Sequence, residues 1–271
     1  MQTRNGESLG IITLGPEGTF SHQAAMKLYP KKKLAFASSI DEIFMRLADP
    51  QFSEGIVPME NTVSEFVEET IFNLMKYDFS LVRKIVLPVS FNLVGVEEEI
   101  EYLYAQLHAL VQCRVSVREK CPQVKIIETL SNALSAIQYQ ANPKNSAALV
   151  STFSQQYYDL PILAENMEDS EENFTTFFAV GKAPCPKGKG KHGTSFLLFS
   201  EETATITKQI ATQCHDMKIP LIKLKNLVLQ EGHTPLYFIE VEGHLQEKEV
   251  LRFFESLSQQ FLIKHLGSYP L

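Results

Sequence analysis

The 271-residue chain has little of what would tie it to a metal, a membrane or a nucleic acid. Its four cysteines, Cys113, Cys121, Cys185 and Cys214, form no C-x-x-C pair. That excludes a disulfide framework and a zinc knuckle and marks them as reduced thiols. The seven histidines show no ligand spacing such as H-E-x-x-H, so no metal is expected. The longest apolar stretches, 85–96 and 194–200, fall short of the roughly 20 residues that a membrane-spanning helix needs. The first ten residues carry Arg4, Asn5, Gly6 and Glu7 where a secretory signal needs an unbroken apolar segment, so a cytoplasmic location is expected. Long basic runs are absent, and 25 Lys and Arg against 32 Asp and Glu leave a net charge of −7; nucleic acid is not an expected partner.

What is present is an ordinary globular composition, 44% apolar and 21% charged, in a length that favours two domains or a large one with a small one. The sharpest compositional break is 183–193, APCPKGKGKHG, which places a linker at 184–193 between a unit at 1–183 and another at 194–271. Upstream, short apolar runs (9–14, 55–57, 124–128, 147–150) alternate with helical patterns, the signature of an α/β domain with a largely parallel sheet. Downstream, strand, helix, two strands, helix and strand follow in the order β-α-β-β-α-β, a ferredoxin-like arrangement.

Three segments carry candidate chemistry. The first strand ends in Gly15-Pro16-Glu17-Gly18-Thr19-Phe20-Ser21, followed by a helical stretch. Thr19 or Ser21 caps that helix, and the segment reads either as an ordinary βα turn or as an anion site at a helix N-terminus. The second segment, Val57-Pro58-Met59-Glu60-Asn61-Thr62, leads into a helix expected over 63–75. Glu60 and Asn61 sit where a sheet delivers side chains to a crevice, while Thr62 is either a ligand or an N-cap completed by Glu65. The third, 173–180, is a strand on which Thr175 and Phe177 share one face and Thr176 and Phe178 the other. The acidic stretch before it, 165–172, reads as a solvated loop.

Taken in order, GPEGTFSHQAA at 15–25, VPMENTVSEFVEET at 57–70 and ENFTTFFAVGK at 172–182 resemble the prephenate dehydratase family. Supporting matches are 109–114, 146–153 and 158–169, and the C-terminal unit resembles the ACT domain that this family appends, with 237–244 as its most recognisable strand. The resemblance implies a two-subdomain, type II periplasmic-binding-protein-like catalytic unit, with a second subdomain at roughly 83–163 and the site in the cleft between the two. It implies conversion of prephenate to phenylpyruvate without a cofactor, a homodimer or homotetramer, and phenylalanine as effector. By motif, Thr175 is the catalytic hydroxyl; Thr19, Ser21, Glu60, Asn61, Thr62, Thr176 and Phe177 bind substrate; Ala204, Thr205, Ile206, Glu231, Gly232 and His233 form the effector loop positions. Two departures stand out. The family's Thr-Arg-Phe reads Thr175-Thr176-Phe177, and its Glu-Asn-Ser-x-x-Gly ends on Glu65. One cation lost and one anion gained beside a dianionic ligand both act against binding. Two rival expectations follow, a paralogue that only binds a small acid or aromatic amino acid, and a prephenate decarboxylase.

Overall fold

The computed structural model describes residues 10–96, 99–170, 172–201, 205–227 and 235–271. The chain opens with β1 (Gly10–Leu14), α1 (Phe20–Leu28), β2 (Leu34–Ala37), α2 (Ile40–Arg46), β3 (Phe52–Asn61), β4 (Glu65–Phe66), α3 (Glu68–Lys76) and β5 (Ser80–Pro88). It continues through β6 (Phe91–Val94), β7 (Tyr102–Gln106), α4 (Leu107–Gln112), α5 (Arg114–Lys120), β8 (Lys125–Thr129), α6 (Asn132–Ala141), β9 (Ser146–Ser151), α7 (Thr152–Tyr157) and β10 (Ile162–Ala164). It closes with β11 (Phe174–Gly181), β12 (His192–Phe199), α8 (Ile206–Asp216), β13 (Leu221–Leu227), β14 (Leu236–Glu242), α9 (Lys248–Ser258) and β15 (Leu262–Pro270).

These strands make three sheets, ordered β2-β1-β3-β11-β5 with β4 on β3, then β10-β6-β9-β7-β8, then β13-β14-β12-β15. The first two form the two lobes of a periplasmic-binding-like unit, and the third has ferredoxin-like connectivity. The expected parallel sheet is corrected to a mixed one. β1 is parallel to β2 and β3, but β11 is antiparallel to both β3 and β5. In the second sheet β7 is parallel to β8 and β9, while β6 is antiparallel to β9. The cause is chain path: β11 returns from the second sheet to fill the gap in the first, entering from the opposite direction.

The helix expected over 63–75 begins only at Glu68. Asn61 Oδ1 accepts hydrogen bonds from Val63 N (2.9 Å) and Ser64 N (3.0 Å), so the N–H groups that would open a helix are already bound in a turn. Glu65 then takes a left-handed φ of 63°, which no helix tolerates. Thr62 is therefore no N-cap; its hydroxyl donates to Glu172 O and accepts from Phe174 N.

One apolar core joins the first sheet to the third. Val57, Ile71, Leu74, Leu81, Phe178 and Val180 pack with Leu197, Leu236, Phe238, Leu266 and Tyr269. The opposite face of the third sheet is covered by α8 and α9 through Ile210, Cys214, Val250, Phe253 and Leu257. β15 crosses β5 so closely that a Cβ on Gly267 would lie 2.2 Å from Leu81 O. Only glycine fits there. Inside this contact Lys84 Nζ reaches both oxygens of the buried Glu240, at 2.7 and 3.0 Å, and Tyr269 OH donates to Glu240 Oε1 at 2.8 Å. Removing one partner strands a charge in the apolar contact, which typically costs about 3–5 kcal/mol. Lys84→Ala should therefore lower unfolding stability by that amount in denaturant titration. Lys84→Met combined with Glu240→Leu should recover most of it, and a cost under about 1 kcal/mol for the single variant would show that the pair does not join the sheets.

Candidate functional site

Between the first two sheets lies a cavity of about 410 Å³. Its near wall is built by the 14–21 segment, by Pro58, Asn61 and Ser64 at the end of β3, and by Thr175 and Phe177 of β11. Its far wall is built by Gln106, His108, Ala109 and Gln112 around α4 and by Leu130, Ser131 and Asn132 at the start of α6. Among the described lining residues there is no Asp, Glu, Lys or Arg, and His108 is the one ionisable side chain.

The near wall begins with the N-terminus of α1. Thr19 is the cap: its Oγ1 accepts from His22 N, while its hydroxyl lies near the carbonyls of Pro16 (3.0 Å) and Leu14 (3.3 Å). Ser21 falls one residue inside the helix and is buried against the cavity. The loop is clamped from the other lobe. Ser154 Oγ donates to Gly18 O (2.6 Å), Tyr158 OH to Glu17 O (2.8 Å) and Tyr157 OH to Glu17 Oε2 (2.6 Å). The last bond pushes the Tyr157 hydroxyl up to about 12, so it stays a donor at neutral pH. Gly18 has φ +84° and a Cβ there would meet Tyr158 at 2.5 Å, so the clamp requires glycine.

His22 completes the clamp. Its Nδ1 accepts from Gly18 N at 2.9 Å, and the ring is packed edge-on against Phe36, Phe153 and Tyr157. Burial lowers its pKa against a weaker opposing pull from Glu17. His22 is thus neutral in the fold, and protonation must break the Gly18 bond. Its contribution to stability is present above the ordinary histidine value of about 6.5 and is lost as pH falls below it. An NMR titration should place the His22 midpoint below 6.5, and His22→Ala should speed amide exchange at Gly18. A midpoint at or above 6.5 would contradict this assignment.

The centre of the near wall is a chain of amides. Asn61 Nδ2 donates to Thr175 Oγ1 (2.9 Å) and Asn173 Oδ1 (2.9 Å), and Asn173 Nδ2 donates to Gln112 Oε1 (2.9 Å) across the cleft. Asn173 is buried, and its carbonyl accepts from Val89 N. The acidic stretch also has a structural part: Glu168 accepts from Phe91 N, and Asp169 accepts from Val115 N and donates its own N–H to Gln112 O.

The expected site residues divide. Thr19, Ser21, Asn61, Thr175 and Phe177 line one cavity. Glu60, Thr62 and Thr176 are not among its lining residues. On β11 the alternation of strand faces turns Thr176 away from Thr175 and Phe177; on β3 the register shift opposite Thr176 and Phe177 separates Glu60 from Pro58; Thr62 lies past the end of β3 and is bonded to Glu172 and Phe174. Glu60 pairs with Thr176 in the β3–β11 register and forms an ion pair with Lys223 of β13. Position 176 therefore sits beside a carboxylate that already has its cation, on the face away from the cavity. Glu65 also points elsewhere, to Lys225 at 3.1 Å. Of the effector positions, Thr205 precedes α8 without a side-chain cap bond and Ile206 is buried in its first turn; Ala204, Glu231, Gly232 and His233 lie outside the described residues. Gln106, His108, Gln112, Ser131, Asn132 and Asn173 are not among the site residues that the motifs assign. For Gln112 the segment 109–114 was the available signal.

Comparison with known proteins places this geometry. The family model described as prephenate dehydratase matches residues 11–185. The bifunctional chorismate mutase/prephenate dehydratase of Aquifex aeolicus is 29% identical over 97% of this chain and 74% of its own length. The prephenate dehydratase of Methanocaldococcus jannaschii is 26% identical over 96% of this chain and 97% of its own. The solved structure of prephenate dehydratase in complex with L-Phe from Arthrobacter aurescens superposes with a TM-score of 0.83 at 22% identity, over 97% of this chain and 90% of that one. At that identity the superposition establishes the fold.

Proposed function

The chain belongs to the prephenate dehydratase family, and we propose that it catalyses the decarboxylating dehydration of prephenate to phenylpyruvate in phenylalanine biosynthesis. The observation that carries the reading is the bond from Asn61 Nδ2 to Thr175 Oγ1. It occupies a lone pair of the Thr175 oxygen and leaves the hydroxyl hydrogen free to donate to a ligand in the cavity.

The reaction needs little more than orientation. The bond between the ring and its carboxylate breaks, its electron pair enters the ring, and hydroxide leaves the opposite carbon as the ring becomes aromatic; the hydroxide takes a proton and leaves as water. Thr175 need not surrender its own proton. It donates a hydrogen bond that strengthens as negative charge gathers on the departing oxygen, which is stabilisation of the transition state over the ground state. The uncharged cleft suits the other end. A carboxylate that departs as neutral carbon dioxide is hindered by any cation that holds it tightly, and neutral donors orient it at less cost to the barrier. Phe177 supplies an apolar surface for the ring.

The geometry also supports activity in spite of the departures from the family motifs. Position 176 faces Glu60 and Lys223, and Glu65 faces Lys225, so neither change alters the charge lining the cavity. We assign catalysis to 1–183 and regulation to 194–271 across the linker 184–193. The ferredoxin-like unit is proposed as an ACT module that binds phenylalanine and assembles the chain as a homodimer or homotetramer; the Arthrobacter relative, solved with L-Phe, motivates that assignment.

Purified protein incubated with prephenate should yield phenylpyruvate, read by its alkaline ultraviolet absorbance. Loss of one donor to a developing oxyanion typically costs about 10²–10³ in kcat, and Thr175→Ala should show that loss without loss of stability, while Thr175→Ser retains most of the rate. Full activity in the alanine variant would refute the role. Folded wild-type protein that binds prephenate without turnover would refute the enzyme and favour a binding paralogue.

A further inference from the structure

The hairpin of β3 and β4 carries Asn61 and Ser64, two cavity-lining residues, and has little sheet of its own to hold it. Its return leg, β4, is two residues long and pairs with β3 through Glu60–Phe66 and Asn61–Glu65. A two-stranded hairpin by itself is marginally stable at best. Glu65 adds a cost of its own, since its φ of 63° lies in the left-handed region that residues other than glycine enter unfavourably. The hairpin must nevertheless be fixed. Asn61 Oδ1 closes its turn on Val63 N and Ser64 N, and Asn61 Nδ2 donates to Thr175 Oγ1.

The support comes from the third sheet. Leu224 of β13 packs in the core beneath α8 and α9, so its neighbours Lys223 and Lys225 share the opposite face of the strand. That face meets the hairpin. Lys223 forms an ion pair with Glu60 on the outgoing leg and Lys225 with Glu65 on the return leg. Phe66 of β4 packs on Phe238 of β14, with ring centroids 5.1 Å apart, and Lys223 Nζ lies 5.9 Å from the Phe66 ring. The two pairs are unequal. The side chains of Lys225 and Glu65 are 45% and 71% exposed and screened by water, whereas those of Lys223 and Glu60 are 35% and 18% exposed. Opposite Glu60 in the β3–β11 register stands the uncharged Thr176, so the cation beside Glu60 is supplied from outside the first sheet. We infer that Lys223 is a positioning residue of the cleft: by holding Glu60 it fixes the hairpin from which Asn61 engages Thr175. This inference rests on the cleft's assignment as the substrate site.

The test uses the full chain. Lys223→Met keeps an apolar stem beside Phe66 and removes the charge, Lys223→Arg keeps both, and Lys223→Gln replaces the methionine variant if that one does not fold. Each is measured for kcat and KM with prephenate, and for amide exchange by NMR at Val63 and Ser64, whose N–H groups report whether Asn61 still closes the turn. Lys223→Met should lower kcat about tenfold, within the roughly 10²-fold that displacing a reacting group by about 1 Å can cost, and change KM less than about threefold. Lys223→Arg should retain most of the rate. Exchange at Val63 and Ser64 should quicken in Lys223→Met, while Leu134 N, capped by Ser131 in the other lobe, is unaffected. In a Thr175→Ala background Lys223→Met should cause no further loss of kcat, a result that a general loss of folded protein would not give. An unchanged kcat, equal quickening at Leu134, or a full further loss in the Thr175→Ala background would overturn the inference. Wild-type protein without turnover would refute the proposed reaction, and exchange would then decide the positioning role alone: quickened at Val63 and Ser64 it stands, unchanged it falls.

Discussion

Everything at the site depends on the register of β11 between β3 and β5. The chain leaves the first sheet after β5, builds the whole second sheet, and returns so that Thr175 lies opposite Asn61 and Thr176 opposite Glu60. A slip of one residue would turn Thr175 to the outer face and bring Thr176 to the cavity. The register is fixed on both sides, by Phe177 and Phe178 buried on opposite faces of the strand and by Asn173, which ties the start of β11 to Val89, Asn61 and Gln112. The same interactions that pin the strand therefore aim its hydroxyl.

The third sheet is not a loose appendage to this arrangement. Its inner face completes the core of the first sheet, and its edge strand sends Lys223 to Glu60 and Lys225 to Glu65, on either side of the turn that carries Asn61 and Ser64. The second of these pairs is exposed and contributes little by itself. The first is partly buried and lies on the side of the strand opposite Thr175. A shift of the third sheet would thus be felt at Glu60, the residue next to Asn61.

Much of this was legible in the sequence because it is local. The glycine loop and its cap at 15–21, the strand at 173–180 and the common face of Thr175 and Phe177 follow from turn chemistry and strand periodicity. Adjacent residues in a motif invite a shared role, but on a strand they point apart, which is why Glu60 and Thr176 read as ligands and meet Lys223 and each other's strand instead. Thr62 and Glu65 read as a capping box because the spacing fits; the Asn61 side chain had already claimed the N–H groups. Gln112, Ser131 and Asn132 were out of reach for a different reason. They come to the cleft from the other sheet, and no local pattern announces a residue whose partner is supplied by the fold.

The site is a place where charge is handled without opposing charge. In the proposed reaction, amides and one hydroxyl orient a ligand that ends with one negative charge fewer on carbon. The central claim is that Asn61 acts by orienting Thr175. A double-mutant cycle on kcat tests it most directly, using Asn61→Ala, Thr175→Ala and the pair. If the amide works through the hydroxyl, the double variant will be about as slow as Thr175→Ala alone, because removing Asn61 has nothing left to disturb. Fully additive losses would show that the two residues act independently and would contradict the account.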